Sequence, residues 1–333
     1  MRWTLLATVL MSLVVGCEKK PTIAPPPTFE ITEYAGTWLR SDKAVAFVAH
    51  EPYPRVLVFR ALNGENAILT AEHPYAGIRT CVLDPVQTEN WNLANLQPAQ
   101  VAGATGDSVR IIAEPDEKSQ LQNALDVQLG ESEDGLPQLT ILHRLINTGT
   151  DAREMAAWSI ASIPNGGTMT TDYTLQIGEE NGQPRLLRRI GYFMNADPRH
   201  GSYEYGDKQF TIHTDVPQEG SSKVFLFSPD GTVEYRGTDG TVLTSVGPSR
   251  EGVYPEGGFN VTFYRNWSPT DPDWHYTELE HVGPLQVVAP GSAATLEQVI
   301  TLGEPTITPA NVAEEATDAA EEAVEEVVDD ASE

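Results

Sequence analysis

The chain has 333 residues, of which 40% are hydrophobic, and this length allows one large β domain or two ordinary domains. Its formal net charge of −27 excludes nucleic acid and anionic lipid surfaces as expected partners, because like charges repel.

Residues 1–16 have the pattern of a targeting segment. Arg2 supplies a short positive start, and the apolar run that follows is too short to span a bilayer. The segment ends in Val14-Val15-Gly16-Cys17, which resembles the lipobox of bacterial lipoproteins, and this resemblance implies lipidation of Cys17. Glu18, in place of Asp, implies retention in the outer membrane of a Gram-negative host, facing the periplasm. We therefore predict a cell-envelope lipoprotein that is anchored to the membrane by lipid.

Residues 17–28 are polar and rich in proline, so we predict an extended tether between the lipid and the folded domain. Of the two cysteines, Cys17 would carry the lipid, which leaves Cys81 without a partner for an intrachain disulfide. The apolar setting of Cys81 predicts a small buried core residue rather than a catalytic thiol.

Residues 29–303 have the pattern of a single all-β domain. Short runs of Val, Ile, Thr and aromatic residues alternate with Gly, Pro, Asn and Asp, and no long stretch has a period of about 3.6 residues. One large β-sandwich therefore fits better than a βαβ arrangement. The predicted strands are Val45–His50, Arg55–Arg60, Ile78–Leu83, Val109–Ala113, Ala124–Leu129, Leu139–Ile146, Ala156–Ile160, Leu186–Phe193, Phe210–Thr214, Val224–Phe227, Thr232–Arg236, Val242–Val246, Phe259–Arg265 and Trp274–His281.

Three Asp-Gly pairs predict hairpin turns, because this dipeptide tolerates the positive φ that tight turns require. They are Asp134-Gly135, Asp230-Gly231 and Asp239-Gly240. Residues 304–333 differ from the rest, with eleven acidic residues and no basic one. Because such a segment repels itself and has little apolar surface to bury, we predict a disordered acidic tail.

Common cofactor and metal motifs are absent from the sequence. It has no glycine-rich phosphate loop, no His-Glu-x-x-His, no Cys-x-x-Cys and no Gly-x-Ser-x-Gly. Its seven histidines are scattered and do not pair at metal-ligand spacing. We therefore expect neither a cofactor nor a metal ion.

The predicted strand from Trp274 to His281 has two carboxylates on one face. Side chains alternate along a strand, so Tyr276, Glu278 and Glu280 share one side, whereas Leu279 and His281 take the other. Neighbouring carboxylates repel one another. Either this pair faces open solvent or it lines a polar groove, and the spacing alone leaves both interpretations open.

The order of several motifs gives a further indication. These are Gly77-Ile78-Arg79, the strand Leu142–Gly149 with its Asn turn, Met155–Ile160, the bend Pro164–Gly167, Tyr254–Phe259, Tyr276–Pro284, and Ala289–Ser292 before a final strand. This succession, from about Gly77 to Leu302, resembles the galactose-mutarotase-like group of large β-sandwiches. Within that group it is similar to an uncharacterised bacterial family with an aldose 1-epimerase-like fold. The resemblance implies a two-sheet supersandwich whose concave face binds carbohydrate.

The resemblance also implies roles for individual residues. Glu280 lies where mutarotases have the glutamate that acts as general base on the anomeric hydroxyl. Their acid is a histidine that follows the Asn turn, but here that segment reads Ala157-Trp158-Ser159-Ile160. His143 lies on the preceding strand, at a position that does not match. Because an acid and a base must both reach one substrate, this departure counts against epimerase chemistry.

Three functions follow from these residues. The first is carbohydrate binding, in which aromatic side chains stack on the sugar and charged ones bond its hydroxyls; the candidates are Trp158, Tyr276, Trp274, Glu278, Glu280 and Arg79. Each aromatic residue could instead pack in the core. The second is aldose epimerisation, or less readily glycoside hydrolysis or lysis, with Glu280 as base and an acid drawn from His143, His281 or Glu278.

The third is a non-catalytic scaffold of the cell envelope, since a fold alone does not determine function. We favour carbohydrate binding.

Overall fold

The computed structural model describes residues 34–69, 76–83, 96–173, 175–180, 183–188, 190–249, 252–255, 258–268 and 275–303. The predicted leader, the tether with Cys17, the acidic tail and Trp274 lie outside the described residues. For the segments 175–180 and 183–188 only the backbone is described.

The regular elements of the described residues are 22 β-strands. In chain order they are β1 (Gly36–Arg40), β2 (Ala44–Ala49), β3 (Arg55–Ala61), β4 (Ile78–Leu83), β5 (Ala99–Ala104), β6 (Ser108–Ala113), β7 (Leu121–Glu131), β8 (Pro137–Asn147), β9 (Arg153–Ile163), β10 (Gly167–Asp172), β11 (Leu175–Glu180), β12 (Gln183–Arg188), β13 (Ile190–Met194), β14 (Tyr203–Tyr205), β15 (Gln209–His213), β16 (Gly220–Leu226), β17 (Thr232–Gly237), β18 (Val242–Val246), β19 (Val261–Trp267), β20 (Tyr276–Val282), β21 (Gln286–Val288) and β22 (Ala293–Gly303). None of the described residues forms a helix with the length and hydrophobicity needed to cross a membrane.

Two ten-stranded antiparallel sheets contain nearly all of these strands. The first sheet has the order β1-β2-β3-β4-β9-β20-β19-β16-β13, and β21 pairs with β9 beside this path. The second sheet has the order β14-β15-β10-β17-β18-β22-β8-β7-β6-β5, and β11 and β12 form a separate hairpin. The predicted all-β, two-sheet sandwich is confirmed.

The main core lies between the two sheets. Each strand turns every second side chain inward, so the first sheet contributes residues such as Phe263 and Leu279, and the second contributes Leu125, Ile141 and Ile300, all less than 2% exposed. Burial of these apolar side chains supplies the main favourable free energy of folding. The opposite face of the first sheet therefore points away from the second sheet.

Two of the three predicted hairpins are confirmed. Gly135 and Gly240 have positive φ angles of 73° and 84° and connect the paired strands β7–β8 and β17–β18. Gly231 also has a positive φ of 71°, but it lies between β16 of the first sheet and β17 of the second. The hairpin predicted there is wrong, because β16 pairs with β13 and β19 and the chain crosses between layers.

Strand boundaries show where the sequence pattern was insufficient. Ile78–Leu83 and Val242–Val246 have the predicted bounds, whereas the predicted strand Leu186–Phe193 is divided between β12 and β13. Three strands at sheet edges, β1, β5 and β14, were not predicted. Most of β5 is exposed, so it lacks the apolar alternation on which the prediction depends.

Candidate functional site

The two carboxylates of β20 lie on the buried outer face of the first sheet. Leu279 packs in the main core, so Glu278 and Glu280 point to the opposite face, as the alternation predicts. Glu278 is 6% exposed and Glu280 is 1% exposed. The open-solvent interpretation of this pair is therefore wrong. We call this surface, defined by Arg79, Trp158, Lys223, Glu278 and Glu280, the site face.

Strand register explains how distant segments meet there. Directly opposed residues of an antiparallel pair share a face. Glu280 is opposite Ile160 of β9 and Thr262 of β19, and Ile160 is in turn opposite Arg79 of β4. In the next row, Glu278 is opposite Tyr264, which is opposite Lys223 of β16.

Glu280 has two partners on one oxygen and none on the other. Lys223 Nζ lies 2.9 Å from Glu280 Oε2, and the indole Nε1–H of Trp158 donates to the same oxygen at 2.8 Å. Glu280 Oε1 is buried and has no hydrogen-bond partner. A buried acceptor without a partner lowers the stability of the folded state by about 1–3 kcal/mol. A ligand that donates a hydrogen bond to this oxygen would remove that cost.

Burial raises the pKa of Glu280 to about 7, because a carboxylate is poorly solvated there. The ammonium of Lys223 opposes this shift, whereas the negative charge of Glu278 adds to it. The group therefore changes charge near neutral pH, in the range where a carboxyl group can both accept and donate a proton.

Lys223 lies between the buried carboxylate and the surface. Its side chain is 13% exposed, whereas that of Glu280 is 1% exposed. Its ammonium also lies 4.3 Å from the ring centroid of Trp158, within the range of a cation–π interaction. Trp158 was predicted to stack on a sugar, but it is 8% exposed and contacts this ammonium.

Glu278 is neutralised by Arg79. Arg79 Nη2 lies 2.7 Å from Glu278 Oε1, and Arg79 Nη1 donates to Ser162 Oγ at 3.3 Å. Burial disfavours the charged guanidinium, but the Glu278 carboxylate outweighs it and raises the pKa of Arg79. Arg79 is therefore a buried ion-pair partner and not a solvated edge charge.

Tyr276 and Cys81 complete the same face. Tyr276 is 5% exposed and packs on Tyr264 at 5.8 Å between ring centroids, and burial raises the pKa of its hydroxyl. Cys81 packs in an apolar cluster with Trp158 and Tyr254, where burial raises the pKa of its thiol to about 12. A thiol held neutral in this way is a poor nucleophile.

The structure does not bring His143 to the site face. His143 lies on β8 of the second sheet, is fully buried, and bonds Thr80 Oγ1 at 2.8 Å and Gln298 Oε1 at 3.2 Å. Burial lowers its pKa to about 4, so it is neutral near pH 7. Because it points into the space between the sheets, the first sheet separates it from Glu280.

A chain of polar side chains lies directly behind the site face. Gln298 accepts a hydrogen bond from Ser159 at 2.6 Å and donates to Ser245 at 3.0 Å, and Ser245 bonds His281 at 2.8 Å. Burial lowers the pKa of His281 to about 3, and His143 adds to this effect. His281 is thus also directed away from the site face.

The groups just described indicate which ligand chemistry suits the site face. Among the described residues, no three His, Cys, Asp or Glu side chains are grouped as metal ligands. The unpartnered Glu280 Oε1 and the ammonium of Lys223 place a hydrogen-bond acceptor beside a donor. This combination suits a hydroxyl group, which both donates and accepts hydrogen bonds.

Comparison with solved structures defines the fold. The chain is similar to a proposed aldose 1-epimerase from Escherichia coli K12, with a TM-score of 0.51 and 12% identity over 81% of this chain and 99% of that one. It is also similar to a galactose mutarotase related enzyme from Lactobacillus acidophilus, with a TM-score of 0.53 and 9% identity over 82% and 98% of the two chains. The fold is galactose mutarotase-like.

A galactose mutarotase-like protein from Lactobacillus casei gives the same result, with a TM-score of 0.52 and 9% identity over 81% of this chain and 100% of that one. No protein-family model and no curated protein sequence matches the chain. At these identities the mutarotase-like neighbours establish the architecture alone.

Sequence reasoning missed Lys223 and Ser162, which complete the two ion-paired clusters. The segment Gly220–Leu226 alternates in a way that places Lys223 and Phe225 on one face. That signal shows that Lys223 faces away from the main core. It does not show that Lys223 reaches Glu280, because the pairing of β16 with β19 is a long-range property.

Proposed function

We propose that the site face binds a carbohydrate, with Glu280 and Lys223 as the groups that bond its hydroxyls. The observation that carries this proposal is the buried Glu280 Oε1, which has no partner, beside an ammonium 2.9 Å from the other oxygen. A sugar hydroxyl would donate to the free carboxylate oxygen and accept from Lys223. The binding would remove the cost of the unpartnered acceptor.

The mutarotase-like fold supports this proposal, because the neighbouring structures include proteins described as mutarotase-related. Lys223 is the more exposed of the two groups, so a ligand would approach from its side. Since Glu280 is 1% exposed, binding requires the side chains over it to move. Arg79 and Glu278, which neutralise each other, would contribute shape and hydrogen bonds rather than net charge.

A saccharide panel tests the proposal. We expect one or more sugars to raise the melting temperature and to change the tryptophan fluorescence, because Trp158 contacts both Glu280 and Lys223. Glu280→Gln should weaken binding at least tenfold. Glu297→Gln is the matched control, since Glu297 is an exposed strand residue of the second sheet. A panel that leaves both signals unchanged would refute carbohydrate binding.

A second candidate function is aldose epimerisation, favoured by the pKa of Glu280 near 7. Glu280 Oε1 would take the proton of the anomeric hydroxyl while Lys223 donates one to the ring oxygen. The bond between the anomeric carbon and the ring oxygen breaks and a carbonyl forms. Rotation about the C1–C2 bond then turns the other face of the carbonyl to the ring oxygen, and the reverse proton transfers close the other anomer. If Glu280→Gln matches the wild type in a polarimetric mutarotation assay, this candidate is excluded.

We also propose that the protein is held in the cell envelope by a lipid on Cys17, at the outer membrane and facing the periplasm. The support is the sequence Val14-Val15-Gly16-Cys17, followed by Glu18. Radiolabelled palmitate should be incorporated into the wild type and not into Cys17→Ser. Equal labelling of both proteins would contradict the proposed anchor.

A further inference from the structure

The site face continues across the first sheet to the edge strand β13. Phe193 of β13 is directly opposite Lys223, Lys223 is opposite Tyr264, and Tyr264 is opposite Glu278. Directly opposed residues share a face, so Phe193 points to the same side as the two carboxylates. The neighbouring Tyr192 is opposite Val224, and both pack toward the main core. Because side chains alternate along a strand, Phe193 must face the other way.

Phe193 is a large aromatic side chain left open at this edge. It is 57% exposed and is the one aromatic residue among the exposed large hydrophobic residues of the described part of the chain. Its ring contacts Phe225 edge-to-face at 6.5 Å, and Phe225 packs on Phe259 at 5.6 Å. These three rings therefore form a continuous apolar surface that ends in solvent.

This aromatic surface adjoins the charged part of the site. Lys223 Nζ lies 5.6 Å from the ring centroid of Phe225 and 2.9 Å from Glu280 Oε2. Gly191 contributes by having no side chain, since a Cβ there would lie 3.1 Å from Phe259 Cζ and 3.3 Å from Phe225 Cβ. The rings of Phe225 and Phe259 can therefore lie close to the strand, with Phe193 projecting beside them.

We propose that Phe193 and Phe225 form a second saccharide subsite, so that the ligand is a glycan of at least two pyranose rings. One ring would bind at Glu280 and Lys223, and the next would lay its apolar C–H face on the exposed aromatic surface. This inference rests on the proposed carbohydrate binding. It specifies that the ligand has at least two sugar rings, and it assigns the exposed aromatic surface to the binding of the second ring.

The dimensions of the sheet agree with a ligand of this length. Three interstrand spacings separate β20 from β13 across the first sheet, a backbone distance of roughly 14 Å. The backbone distance from β20 to Phe193 is therefore longer than one pyranose ring. The long side chain of Lys223 bridges part of this distance, with its Nζ 5.6 Å from the ring centroid of Phe225. Phe193 is also the more exposed end, so a longer glycan could extend past the edge of the sheet into solvent.

Calorimetric titration of the full-length protein tests the subsite with matched sugars. The probes are D-glucose and D-galactose, the disaccharides maltose, cellobiose and lactose, and the tetrasaccharides maltotetraose and cellotetraose. For the wild type we expect at least one oligosaccharide to bind tenfold or more tightly than its monosaccharide. Phe193→Ala should remove that advantage and leave monosaccharide affinity within twofold, whereas Phe193→Trp should retain it.

Val287→Ala is the control, because Val287 is 77% exposed on β21 at a different part of the first sheet. An unchanged melting temperature would show that Phe193→Ala is folded, as expected for an exposed residue. If monosaccharides bind but oligosaccharides bind no better, or if Phe193→Ala leaves oligosaccharide affinity unchanged, the subsite is refuted and carbohydrate binding stands. If no sugar binds the wild type, both proposals fail.

Discussion

Lys223 Nζ lies 2.9 Å from Glu280 Oε2 on the outer face of the first sheet, and this ion pair is almost wholly enclosed by protein. The pair joins β16 to β20 across the intervening strand β19. Desolvation of two charges is costly, so a pair of this kind is weak evidence for added stability. Its position beside an unpartnered carboxylate oxygen favours a role in ligand binding.

Removal of the cation alone should destabilise the protein. We expect Lys223→Met to lower the free energy of unfolding by roughly 3 kcal/mol at pH 8. This value is at the low end of the cost of removing one partner from a buried ion pair, because Lys223 is partly exposed. The double variant Lys223→Met/Glu280→Leu, which leaves no buried charge, should be close to the wild type. Urea unfolding checks both values, and a double variant no more stable than Lys223→Met would contradict this reasoning.

The raised pKa of Glu280 gives the protein a specific pH dependence. The unfolded chain loses this proton near pH 4.5, but the folded chain keeps it to about pH 7. Between these values the folded state binds more protons, so this group makes stability fall as pH rises. Glu280→Gln should therefore gain stability relative to wild type, by on the order of 3 kcal/mol, from pH 4 to pH 8.

Parallel urea titrations of the two proteins at several pH values measure that difference. Glu297→Gln again serves as the control, since Glu297 is exposed. A constant difference between Glu280→Gln and wild type across this range would show that the buried carboxyl group titrates normally.

The two buried histidines should act in the opposite direction. Burial lowers the pKa of His143 to about 4 and that of His281 to about 3, from an ordinary value of 6.5. Between these limits the unfolded state binds more protons, so stability should rise with pH up to about 6.5. His143→Gln should reduce this slope by about 1.4 kcal/mol per pH unit near pH 5. Denaturation curves with equal slopes for variant and wild type would disprove the assignment.

Cys81 should be unreactive in the folded protein. Its thiol is 2% exposed and burial raises its pKa to about 12, so little thiolate is present or accessible. We expect alkylation of Cys81 by iodoacetamide to occur only at the rate of unfolding. Peptide mass spectrometry distinguishes Cys81 from Cys17. Rapid labelling of Cys81 under native conditions would mean that the cluster around Trp158 opens readily.

The sequence predicted the fold more completely than the site. The alternation that separates Glu278 and Glu280 from Leu279 and His281 is local, and it places all four correctly. Hairpin turns at Gly135 and Gly240 were also readable, because positive φ is a property of the turn itself. Gly231 shows that the turn type does not predict which strands pair. It has the same positive φ, but it connects a strand of the first sheet to a strand of the second.

The site depended on information that a local pattern does not hold. Two repelling carboxylates predicted either a solvated face or a polar groove. Only the strand order β4-β9-β20-β19-β16 assigns Arg79 to Glu278 and Lys223 to Glu280. Likewise, His143 was named as a candidate acid because it lies on the strand before the expected segment, although its position did not match. Its position in the second sheet follows from long-range pairing of β8 with β7 and β22.

A crystal structure of the protein with the tightest-binding saccharide tests the central claim most directly. We predict a sugar hydroxyl within hydrogen-bond distance of Glu280 Oε1, with Lys223 Nζ donating to the same ring. A saccharide bound elsewhere on the molecule, with Glu280 Oε1 still unpartnered, would contradict the assignment of the site.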